Sequence, residues 1–99
     1  MVKLVVTYGH PNSPEAFEEY YNSTHMSLAV KVPAKKVELA KIIGTPDGSQ
    51  PSNYRIAELY FDSMEDLQTA MGSPEGQATV ADLENFATGG VDVAIAEVQ

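Results

Sequence analysis

At 99 residues the chain has room for one hydrophobic core, and a domain of this size buries only about two-thirds of the surface its unfolded chain exposes. Hydrophobic residues make up 43% and charged residues 20%, ordinary globular values, but the formal charge of −8 argues against nucleic acid and anionic membranes, which both call for clustered Lys and Arg. No cysteine is present, which removes disulfides, thiolate nucleophiles and thiolate metal sites.

The opening run Met1-Val2-Lys3-Leu4-Val5-Val6 is too short for a secretory signal and lacks a small-residue cleavage site, and nothing approaches the roughly 20 apolar residues of a membrane span. A cytoplasmic location is the expectation. Residues 2–8 are rich in β-branched side chains and predict a strand, with Val2, Leu4, Val6 and Tyr8 on one face and Lys3, Val5 and Thr7 on the other. After the turn cluster Gly9-His10-Pro11-Asn12, Ser13 reads as an N-cap, Pro14 as the first helical residue and Glu15 as a favourable first-turn charge. The helix is predicted over residues 14–24 or slightly beyond, with Phe17, Tyr21 and His25 on one face and Tyr20, Thr24 and Leu28 in a neighbouring row.

Pro33 cannot donate a ladder hydrogen bond, so the second strand is expected after it, within residues 35–43. Residues 44–53 hold two Gly and two Pro and form a long loop. Residues 54–61 are the clearest strand: Tyr54, Ile56, Glu58 and Tyr60 face one way, and Arg55, Ala57, Leu59 and Phe61 the other. Ser63, with Asp66 three residues on, caps a helix over 64–71; Ser73-Pro74-Glu75 starts another to about Ala87, its apolar face Val80, Leu83, Phe86 and Ala87. Gly89-Gly90 ends it, and residues 91–98 are a final strand. The order β-α-β-β-α-β is that of an α+β, ferredoxin-like domain with an antiparallel sheet, expected to span residues 1–99 as one unit. Helices on one side leave the other sheet face open and partly apolar, and pairing two such faces predicts a homodimer with twofold symmetry.

The stretch 8–33 resembles the EthD family. The likeness rests on Tyr8, Phe17-Glu18-Glu19-Tyr20-Tyr21, Thr24-His25-Met26-Ser27-Leu28-Ala29 and Lys31-Val32-Pro33. It continues through Ile56-Ala57-Glu58-Leu59-Tyr60-Phe61-Asp62-Ser63, Ser73-Pro74-Glu75-Gly76-Gln77 and Asn85-Phe86-Ala87-Thr88-Gly89-Gly90-Val91. Two positions depart from the family pattern: Ser27 stands where Pro is usual, and Ala34 where Gly is common. The resemblance implies a dimeric α/β barrel, closed by two ferredoxin-like sheets. The wider superfamily includes cofactor-free monooxygenases, lactone isomerases, polyketide cyclases or dehydratases, and haem-using enzymes. The family takes its name from a protein encoded with ether-degrading genes, and a fold does not settle a function.

His25 is the leading catalytic candidate, since periodicity turns it towards the sheet and imidazole exchanges protons near neutral pH. The alternative is a structural histidine bonded to backbone at the helix end. Tyr8 and Tyr60 end strands, where a phenol could orient a carbonyl or enolate oxygen. Phe17, Tyr21, Tyr54, Phe61 and Phe86 are candidates for binding a small hydrophobic or aromatic ligand, with ordinary core packing as the alternative. Glu58 reads as a polar group on the dimer face, His10 as solvated, and Glu15, Glu18 and Glu19 as a solvated helix face. Two His residues without ligand spacing give no metal site, no cofactor is expected, and no Ser-His-acid motif, phosphate loop or nucleotide fingerprint is present. The expected activity is acid/base chemistry (cyclisation, dehydration, isomerisation or oxygenation) on a small hydrophobic compound in catabolism or biosynthesis. A non-catalytic ligand-binding or accessory protein is the other reading.

Overall fold

Alternation in the first strand decides which way the sheet faces. In the computed structural model, which describes residues 1–99, β1 (Val2–Tyr8) buries Leu4, Val6 and Tyr8 and leaves the intervening residues half-buried. It pairs antiparallel with β3 (Arg55–Phe61) and β4 (Val91–Glu97), and β2 (Lys36–Lys41) adds to the far side of β3, giving the order β2-β3-β1-β4. Because Val5 lies opposite Glu58 and Ala94, one face presents Leu4, Val6, Ala57 and Leu59 to the core. The opposite face carries Lys3, Val5, Ile56, Glu58 and Tyr60 and has no helix on it. This is the α+β ferredoxin-like arrangement.

Tyr54 departs from the predicted alternation. The strand begins at Arg55, so Tyr54 belongs to the end of the preceding loop, where its amide donates to the Tyr8 carbonyl at 2.7 Å. Irregular backbone there turns the ring into the core, 5.2 Å from the Phe17 ring.

The first helical segment is longer than its spacing predicts. It comprises α1 (Pro14–Tyr20), a π-helical turn (Tyr21–His25) and α2 (Met26–Ala29). Ser13 caps it by accepting from the Ala16 amide, and Phe17, Tyr21 and His25 are all buried on the face towards the sheet. A second pair follows: α3 (Met64–Gly72), capped by Ser63, and α4 (Pro74–Asp82), capped by Ser73. A tight 3-10 turn (Leu83–Asn85) replaces the predicted last helical turn, and Phe86 returns the chain to the core. Val80 faces the space between helices and sheet as expected but stays 49% exposed, and Asp82, which was not expected inside, is buried in this region. Gly90 then turns the chain into β4 with φ +91°, a conformation that L side chains resist. No helix is long and apolar enough to cross a membrane.

Candidate active site

Between the sheet and the helices lies a cavity of about 100 Å³. Leu4, Val6, Ala57 and Leu59 line it from the sheet, and Met26, Ala29, Thr79 and Leu83 from the helical layer. Of its 18 lining residues, 16 are hydrophobic, and the other two are His25 and Thr79. Such a lining makes each polar atom that reaches the cavity a candidate for orienting or reacting with a ligand.

His25 reaches it from the end of the π-helical turn. Its Nδ1 lies 3.0 Å from Asp82 Oδ2, and both side chains are buried. The other carboxylate oxygen, Oδ1, accepts from the Tyr20 hydroxyl at 2.6 Å and from the Asn85 amide nitrogen at 3.0 Å. Burial by itself would raise the Asp82 pKa, but the hydrogen bonds from Tyr20, Asn85 and His25 outweigh it and hold the carboxyl below its ordinary 3.8. An ionised Asp82 can only accept, so in a neutral His25 the ring proton belongs on Nδ1 and Nε2 carries the lone pair. Nε2 makes no hydrogen bond to the protein and is not among the sealed polar atoms. The ring is packed by Phe86, centroids 4.6 Å apart, and by Tyr21 at 5.5 Å. A base whose far nitrogen is fixed by a carboxylate is the arrangement that orients histidine for proton transfer.

Two phenols share the cavity. Tyr8 is 1% exposed, and burial first, then the neighbouring Tyr21, push its pKa far up. Tyr21 is raised by burial too, against the opposing pull of the Arg55 guanidinium, whose carbon stands 4.5 Å from the ring centroid. Both therefore remain protonated at neutral pH, and protonated phenols can donate to a ligand oxygen.

His25, Tyr8 and Tyr21 are thus the predicted residues that line the cavity. Phe17, Tyr54 and Phe86 form the aromatic core beside it, with Phe17 stacked on Tyr21 at 5.5 Å, and Phe61 is also sealed in the core. These four were expected to contact ligand; none lines the cavity, because their rings are spent on packing one another and the sheet. Tyr60 does not join His25 at all. It follows Leu59 by one residue, so the pleat sends it to the opposite face, where its hydroxyl donates to Glu38 at 2.7 Å and Lys3 and Lys36 stand over the ring. Glu58 lies on that same face, paired with Lys3 at 2.5 Å. His10 is exposed, with Nε2 2.7 Å from the Pro51 carbonyl. Glu18 is not on a solvated face: it accepts from the buried Arg55 at 2.6 Å, since a buried guanidinium requires a partner. Just beyond His25, the Ser27 hydroxyl donates to the Thr24 carbonyl at 2.6 Å.

Asp82, Tyr20 and Asn85 were not singled out by sequence. Asp82 stands three residues before Asn85 and four before Phe86, a spacing that puts it on the inward face of a helix and could have marked it. No group of three or more His, Cys, Asp or Glu side chains gathers into a possible metal site.

The EthD domain matches residues 10–90. An uncharacterized 11.0 kDa protein in the thcB-thcC intergenic region of Rhodococcus erythropolis is 43% identical over 91 residues, covering 92% of this chain and 88% of that protein. The crystal structure of an ethyl tert-butyl ether D (EthD) family protein from Bacillus halodurans C-125 superposes with a TM-score of 0.93 at 36% identity, covering 100% of this chain and 99% of that one. A hydroxynitrile lyase from Passiflora edulis superposes with a TM-score of 0.75 at 13% identity, covering 99% and 94%, a likeness of fold alone.

Proposed function

The chain belongs to the EthD family, and from that premise we propose that it is an enzyme of small apolar molecules in which His25 is the general base. The observation that carries this reading is the His25–Asp82 pair at the wall of an otherwise apolar cavity. Nε2 takes a proton from an acidic C–H or O–H of the bound molecule, and the electron pair left behind is an enolate or phenolate. The Asp82 carboxylate stabilises the imidazolium that forms, and the Tyr8 and Tyr21 phenols are close enough to the cavity to donate to the new oxyanion. Asp82, Tyr20 and Asn85 act through His25 and are positioning residues. Returning the proton to the same carbon gives exchange; returning it elsewhere gives isomerisation; losing a leaving group gives dehydration or lyase chemistry. One protein of this fold is a hydroxynitrile lyase, so the scaffold supports chemistry of that kind elsewhere. Enzyme action needs no metal or haem for a step of this type. We further propose a homodimer that covers the open sheet face around Val5, Ile56 and the Lys3–Glu58 ion pair.

Hydrogen–deuterium exchange tests the base directly. Small ketones and phenols with exchangeable C–H bonds are incubated with the protein in D2O and followed by NMR. We expect exchange above the buffer rate, abolished in His25→Gln and reduced about 10²–10⁴-fold in Asp82→Asn. Exchange that persists in His25→Gln would contradict the assignment. Bound ligands that never exchange would favour a binding protein.

A further inference from the structure

The site's lining also restricts what can enter it. We propose, resting on the reading of His25 as base, that the bound molecule is uncharged, elongated and largely apolar, with its one acidic proton where it meets His25.

The absence of charge follows from the wall. No Lys or Arg lines the cavity, and Thr79 already donates its hydroxyl proton to the Glu75 carbonyl at 2.8 Å. Arg55 is close in space but stands against the ring of Tyr21 and is paired with Glu18. A carboxylate or phosphate would enter an apolar wall without a countercharge, a cost no neutral ligand meets, and the chain's own charge of −8 opposes it further.

The length follows from the edges. The lining runs across all four strands, from Val37 and Leu39 on β2 to Val93 on β4. Three inter-strand spacings of about 4.8 Å make that width roughly 14 Å. At both edges the lining is apolar yet open to water: Val37 is 43% exposed, Leu39 41% and Val93 52%. Apolar side chains continuous with an apolar cavity and wet at both ends are what a ligand longer than the enclosed part would cover. The same side chains make the edges specificity-determining.

The test is a matched series of phenols and benzoates with para-alkyl chains from methyl to heptyl, titrated against the full chain at neutral pH. We expect the phenols to gain roughly fourfold in affinity per methylene. Each benzoate should bind at least tenfold more weakly than its phenol. Leu39→Asp and the isosteric Val93→Thr should flatten the chain-length dependence, the second keeping the test valid if the first fails to fold. Equal binding of benzoates, or no gain with chain length, overturns the proposal. Edge variants that change sedimentation while leaving the phenol series intact also overturn it, since the edges would then be an interface between copies. Failure of the base reading is separate: it appears as exchange surviving in His25→Gln while the preference for long neutral phenols holds.

Discussion

An ionised carboxylate only 7% exposed needs hydrogen bonds, and Asp82 has three, from Tyr20, Asn85 and His25. The consequence for stability has a definite sign. Burial opposes ionisation, the hydrogen bonds more than offset it, and the folded-state pKa lies below the ordinary 3.8. The ionised form is thus favoured by folding, and its contribution is complete above the unfolded value and lost as pH falls through the folded one. Urea unfolding of the wild type should therefore weaken below about pH 4. Asp82→Asn should cost about 1–3 kcal/mol at neutral pH, from partners left unsatisfied, and should show less of this acid-side loss, the remainder coming from Glu18, Glu38 and Asp47, whose carboxyls are also held low. An unchanged pH profile in the variant would mean the loss arises elsewhere. His25 was legible because four-residue spacing from Phe17 and Tyr21 carries it inward. Asp82 was not, because an acid at a helix end normally reads as solvated, and two of its three partners, Tyr20 and His25, lie 62 and 57 residues away in sequence.

Element boundaries were legible wherever a cap spells them out. Ser13-Pro14, Ser63 and Ser73-Pro74 each accept the expected amide and start a helix where the sequence says one should start. The π-helical turn had no such signal. Over so few turns, residues four apart share a face whether the ladder runs to the fourth or the fifth residue, so Phe17, Tyr21 and His25 do not distinguish them. The α3–α4 corner rests on close backbone approach: a Cβ on Gly76 would strike the Ala70 carbonyl and lie 2.7 Å from Met71 Cα. Gly76→Ala should therefore destabilise by about 1–3 kcal/mol through overpacking. A shift in the urea midpoint too small to resolve would show that the corner can open at no cost. The corner precedes α4, which ends at Asp82, so the same variant should disturb the His25 ring resonances.

At the scale of the molecule, the succession of elements and the one-sided helical cover were legible, because caps and turns mark the elements and alternation marks the two sheet faces. What closes over the open face was not, since that face mixes Val5, Ile56 and Ala94 with Lys3, Glu38 and Glu58 and suits either water or a partner. If two copies meet there, Ile56→Asp places a charge at the interface and should give a monomer by sedimentation at micromolar concentration, where the wild type is a dimer. A wild-type monomer would contradict the dimer. The proposed base depends on a smaller feature, in which Asp82 holds the Nδ1 proton of His25 and leaves Nε2 unpaired. A long-range ¹H–¹⁵N spectrum of the histidine rings at mildly alkaline pH tests it most directly. We expect the ring proton of His25 on Nδ1, an Nε2 resonance in the unprotonated range that shifts when para-heptylphenol binds, and loss of that tautomer in Asp82→Asn. A proton on Nε2 in the wild type, or an Nε2 resonance indifferent to ligand, would contradict it.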